Sequence, residues 1–155
     1  PDATVDLERT RRLVAAAKGM SVTFHRAFDW AAQPEAALEA IIAAGCHRVL
    51  TSGQAPDALT GAATLAKLVQ QAGRRCTILA GGGLNVANIA EVVRRSGVTE
   101  VHASLRGVQP TAMRVRPPSV SLGAAPDWAA DAIPVADQAK VAAVVALLRG
   151  LPAAG

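Results

Sequence analysis

The stretch "SVTFHRAFD", residues 21–29, runs from apolar positions straight into His25, Arg26 and Asp29. An imidazole can move a proton near neutral pH, a guanidinium can neutralise an anion, and a carboxylate can orient either one. Similar endings recur downstream. "RVL" runs into Thr51, Ser52 and Gly53; "ILA" runs into Gly81, Gly82 and Gly83; "EV" runs into His102, Ser104 and Arg106. His25 and His102 are the candidates for acid/base work, with Asp29 orienting His25 or Arg26. Arg26, Ser52, Gly53, Gly81, Gly82, Gly83 and Ser104 are the candidates for holding an anion, because glycine-loop amides and helix N-termini bind negative charge. The same two histidines are the candidate metal ligands. The plainer alternative is that each histidine is hydrogen-bonded within the core and that the glycines only turn the chain.

Such endings need elements to place them at one rim. Gly19, Gly45, Gly73 and Gly97 stand about 26 residues apart, each after a helical pattern and before a short β-rich run. Glycine suits the position just past a helix. The apolar spacing predicts helices over 5–18, 34–44, 57–72, 86–96 and 135–149. Pro34 is a good first helical residue, and Asp57 and Asn85 are candidate N-caps. The order is therefore α, then βα four times, which means a parallel sheet covered by helices. A doubly wound sheet and a (β/α)8 TIM barrel both fit this rhythm. "AGGGLNVAN" does not fit the GxGxxG turn of the former, so the barrel is favoured, with its site at the C-terminal strand ends.

The expected fold is α/β, a parallel (β/α)8 TIM-barrel type of which these four βα units form the C-terminal half, in a single domain over 1–155. Four strands leave two open sheet edges. With Pro1 instead of Met at the start, the expectation is half of a longer chain, or a homo-oligomer that pairs two halves. Residues 105–134, rich in Pro, Ala, Gly and Ser, read as a long loop before the last helix. Strand alternation points Arg48 and Glu100 to the same interior layer and predicts a buried ion pair. It turns Val49 and Val101 towards the helices.

Composition narrows the function classes. Hydrophobic residues make up 51% and aromatics only 3%, which supports a core and counts against a stacking platform for single-stranded nucleic acid. The net charge of +4 is spread over arginine pairs near helix ends, where the dipole favours cations, and no nucleic-acid motif accompanies it. Cys46 and Cys76 form neither a CxxC nor a disulfide framework. No apolar run reaches the length of a membrane span, so a cytoplasmic location is expected.

"MSVTFHRAFD", "RVLTSGQAPDALTG", "ILAGGGLNVANI" and "EVHAS", together with "MRVR" at 113–116, resemble the CutC family of copper homeostasis proteins over roughly residues 5–116. The resemblance implies a (β/α)8 barrel, a cytoplasmic location and copper as the ligand. It also implies a longer chain, whose earlier half carries the cysteines discussed as copper ligands. In this sequence the soft-metal candidates are Met20, Cys46, Cys76, Met113, His25, His47 and His102. Both cysteines are expected at the opposite end of the strands from His25 and His102. Three readings follow: a copper-handling protein, an enzyme acting on a small anionic or phosphorylated substrate, or an inactive barrel half that acts as an interaction module.

Overall fold

The computed structural model describes residues 2–112 and 132–151. The described residues form five helices: α1 (Leu7–Ala16), α2 (Pro34–Ala44), α3 (Ala62–Ala72), α4 (Ile89–Ser96) and α5 (Gln138–Arg149). Four short strands, β1 (Thr23–Phe24), β2 (Arg48–Thr51), β3 (Thr77–Gly81) and β4 (Glu100–His102), make one parallel sheet in the order β1-β2-β3-β4. The order shows no reversal. Consecutive helices pack on one another, and buried residues of α2, α3 and α4 join Val49, Ile78 and Ala80 in a single core. Helices on one face and strands in sequential order are not a doubly wound arrangement.

Local sequence sets the element ends. Asp6 accepts from the Arg9 amide at 2.9 Å and Asp137 from the Lys140 amide at 3.1 Å, capping α1 and α5. Pro34 opens α2, and Gly45 and Gly97 close α2 and α4 in the left-handed conformation. Asp57 and Asn85 differ from expectation. Each caps a single turn ahead of its helix: Asp57 accepts from the Thr60 amide at 2.8 Å, and Asn85 from the Ala87 amide at 2.9 Å. The regular helices then begin at Ala62 and Ile89, later than the apolar spacing suggested.

The two faces of the sheet differ. Val49 and Ile78 are buried against the helices, and Val101 packs against the same core. On the other face Arg48, Leu50, Leu79 and Glu100 keep partial exposure and His102 is exposed. The expected pair forms there, with Arg48 Nε 2.6 Å from Glu100 Oε2 and Arg48 Nη1 2.6 Å from Ser21 Oγ. It spans from β2 to β4 over the intervening strand. It is not buried: the two side chains are 33% and 37% exposed, because the described residues leave this face of the sheet uncovered.

One further expectation is corrected. Residues 105–134 are not wholly a loop: β5 (Arg106–Pro110) and the first three residues of β6 (Ala132–Ala136) fall inside that segment, and the two strands pair as an antiparallel ribbon. In α5 only Val144 is buried, while Val141 and Val145 remain exposed. Met113, with the rest of "MRVR", lies outside the described residues.

Gly61 shows how tightly the turn after β2 is packed. A Cβ there would stand 1.8 Å from the Ser52 carbonyl oxygen. Gly61→Ala is expected to destabilise the fold by about 3 kcal/mol or more, since backbone must shift to admit the methyl group. Gly150→Ala, at an ordinary helical φ of −83° with neighbours no closer than 3.6 Å, should change stability by less than about 0.5 kcal/mol. Urea denaturation of both variants checks the contrast.

Candidate functional site at the strand ends

The 3-10 turn Arg26–Trp30 leaves β1 and swings Asp29 towards the end of β2. Phe28, fully buried, pins the turn to the core. Asp29 then collects donors from the second unit. Its Oδ1 accepts from Thr51 Oγ1 at 2.5 Å and the Gln54 amide at 3.1 Å, and both oxygens lie 3.2 Å from the Ser52 amide. Its Oδ2 accepts from Arg26 Nε at 2.7 Å. Burial pushes the Asp29 carboxyl up, but Thr51, Arg26 and the Gln54 and Ser52 amides outweigh it and hold the group below the usual aspartate value.

Arg26 is thereby fixed. Its Nη2 donates to Ser52 Oγ at 2.7 Å, and Ser52 Oγ in turn donates to the Ala55 carbonyl at 2.6 Å. The remaining terminal nitrogen reaches the glycine loop of the third unit. A Cβ on Gly82 would lie 2.9 Å from Arg26 Nη1 and 3.1 Å from Ser52 Cβ, and the residue's φ is +107°. Glycine is required on both counts. The loop is also held from below, where the Ala58 amide donates to the Gly82 carbonyl at 2.9 Å. Asn88 Nδ2 and Asn85 Nδ2 donate to the Gly83 carbonyl at 2.9 and 3.2 Å. The amides of Gly83 and Leu84 donate to no described residue. A half-exposed guanidinium beside a glycine loop with available N–H groups can receive a small oxyanion.

The sequence-derived candidates divide accordingly. Arg26, Ser52, Gly82 and Gly83 come together, with Asp29 as the residue that positions them. Asp29 serves Arg26 and forms no hydrogen bond with His25. Gly53 is buried and its amide donates to Thr51 Oγ1 at 2.9 Å, so it supports the loop from inside. Gly81 sits on the open sheet face, against Leu50 and His102. Ser104 is exposed and lines a different cleft. His25 Nδ1 accepts from the Ala27 amide at 3.1 Å, which places the proton of the neutral ring on Nε2. His25 follows β1 and His102 ends β4, at opposite edges of the sheet. Three strand spacings of roughly 4.8 Å put them about 14 Å apart, so they form neither an acid/base pair nor a shared metal site. Sequence reasoning did not single out Gln54, whose Nε2 also donates to the Ala31 and Phe28 carbonyls. Its signal was its place three residues past a strand end, opposite a carboxylate.

The soft-metal candidates are dispersed. Cys46 and Cys76 are buried near the N-terminal ends of β2 and β3, away from the rim. Burial pushes the Cys46 thiol up and the Cys76 thiol up to about 11. His47 Nδ1 accepts from the Val22 amide at 3.1 Å, and Met20 is exposed. Among the described residues no three His, Cys, Asp or Glu side chains are grouped to hold a metal ion. No helix of the described residues is long and apolar enough to cross a membrane.

Fold and site define an α/β protein with a parallel sheet and a polar, cationic rim at the C-terminal strand ends. Residues 1–107 match the family model described as the CutC family, and the chain belongs to that family. A CutC family protein of Chromobacterium violaceum is 54% identical over 123 residues, covering 79% of this chain and 50% of that protein. One from Porphyromonas gingivalis is 49% identical over the same shares. The chain spans about half the length of the curated relatives it matches. A crystal structure from Streptococcus agalactiae, named there as a candidate copper homeostasis protein CutC, superposes with a TM-score of 0.61 at 26% identity. The match covers 65% of this chain and 50% of that one.

The Asp29 network carries a pH signature. A depressed carboxyl stabilises the fold above the ordinary aspartate value near 4, and that stability is lost as pH falls through the lower folded value. Asp29→Asn is expected to cost about 2–3 kcal/mol at pH 7, with the gap to the wild type narrowing towards pH 2. Urea titrations at the two pH values check it; an equal gap at both contradicts the assignment.

Proposed function

We propose that this chain takes part in copper homeostasis as a section of a CutC-type (β/α)8 barrel, and that its own rim binds a small anion. The name of the Streptococcus agalactiae relative supports the first part. The observation that carries the second is Arg26, held by Asp29 and Ser52 beside Gly82. Copper at a centre made only of described residues has little chemical support, since Cu(I) prefers thiolates and both thiols are buried and pushed towards the neutral form.

Sequential parallel strands, helices on one face and an open opposite face support the half-barrel reading. The relatives' double length favours a longer chain over a homo-oligomer as the source of the other strands. A cytoplasmic location agrees with a chain whose two cysteines, Cys46 and Cys76, are buried and not joined to each other. An enzyme acting on the bound anion is the second reading. His25 favours it, standing next to Arg26 in the chain with Nε2–H as its available donor.

Two titrations of the reduced chain separate these roles. Inorganic phosphate, followed by amide NMR, is expected to shift Ser52, Gly82 and Gly83, and Arg26→Ala should abolish those shifts. Cu(I), offered against a competing chelator, should not be retained. Stoichiometric Cu(I) lost on His25→Ala or His102→Ala, without phosphate shifts at the glycine loop, would overturn the anion reading.

A further inference from the structure

A second cleft lies on the far side of the glycine loop. It encloses about 440 Å³ and is lined by Leu84, Val86, Ser104, Leu105, Arg106 and Lys140, among others. Three separate elements build it. The loop after β3 supplies Leu84 and Val86, the exit of β4 supplies Ser104 and Leu105, and the first turn of α5 supplies Lys140. Leu105 turns the chain from β4 into β5 with a φ of +42°, an uncommon conformation for a non-glycine residue. That turn is fastened: the Asp137 amide donates to the Leu105 carbonyl at 2.9 Å, and Lys140 Nζ donates to the Arg106 carbonyl at 2.8 Å.

The lining has a mixed character. Leu84, Val86 and Leu105 make an apolar wall, and Ser104, Arg106 and Lys140 provide donors. Lys140 is shared with Asp137 at 3.8 Å, while Arg106 has no ion-pair partner among the described residues. The lining itself contains no carboxylate. A guanidinium and an ammonium at the mouth of a partly apolar cleft suit a ligand with an anionic head and an apolar body.

We propose that this cleft binds an organic phosphate monoester, its phosphate on Arg106, Lys140 and Ser104 and its apolar part against Leu84, Val86 and Leu105. This site is separate from the one at Arg26 and does not depend on that reading. Phenyl phosphate is the test ligand, titrated calorimetrically into the full chain, with phenol as the uncharged comparison. Arg106→Ala and Lys140→Ala should each weaken phenyl phosphate tenfold or more, and Arg26→Ala should leave it within about twofold. Phenol should bind far more weakly. Both substituted side chains are exposed, and circular dichroism confirms that the variants fold. The proposal fails if phenyl phosphate does not bind, or if both variants bind it as the wild type does. It also fails if only Arg26→Ala abolishes binding, a result that would leave the anion reading at Gly82 standing.

Discussion

The rim depends on one carboxylate. Asp29 is taken largely out of water, and a buried carboxylate persists only where donors replace its hydration. Thr51, Ser52 and Gln54 supply those donors from the chain after β2, and Arg26 supplies the countercharge from its own turn. The first two βα units are thereby locked together at their C-terminal ends. Because Ser52 and Arg26 also crowd Gly82, the third unit is drawn in as well. An exposed arginine would sample many rotamers. Here its Nε and Nη2 are committed, so a ligand at Nη1 meets a cation whose ordering cost has already been met within the fold.

The copper association and the chemistry of the described residues lie apart. The thiols sit in the core near the strand N-termini, where burial keeps them protonated. The polar groups gathered around Asp29 sit at the other end, and those that face a ligand are guanidinium, hydroxyl and amide donors. Such groups recognise oxyanions better than a soft cation. The name carried by a relative twice as long therefore bears on that longer protein, while the described residues here offer a rim suited to anions.

Much of the fold was legible because periodicity and punctuation agree. Pro34 and Gly45 bracket α2 as expected, and Leu65, Leu68, Ile89 and Val92 all face the core. The Arg48–Glu100 pair followed from strand alternation alone, though its exposure did not, since burial depends on what covers a face and not on which way a side chain points. Asp57 and Asn85 looked like helix caps because an Asx turn uses the same side-chain oxygen to the same kind of amide. The β5–β6 ribbon was hidden because its partners are far apart in the chain and no tight-turn signal joins them. In the site, residue types identified Arg26 and the glycines. The partnership of Asp29 with Thr51 and Gln54 was out of reach, since it rests on how a 3-10 turn aims one carboxylate across to the neighbouring unit. His25 and His102 illustrate the converse: the same rim does not mean the same place, and strand order separates them.

The most direct measurement is diffraction from crystals of this chain soaked in tungstate, a tetrahedral oxyanion whose metal atom is unmistakable in anomalous maps. The expected result is a tungsten peak with its oxygens in hydrogen-bond reach of the Arg26 guanidinium and the amides of the Gly82–Gly83 loop, and no such peak in Asp29→Asn crystals. A wild-type map with that position empty, or an equal peak in the variant, would contradict the claim that Asp29 builds an anion site at the strand ends.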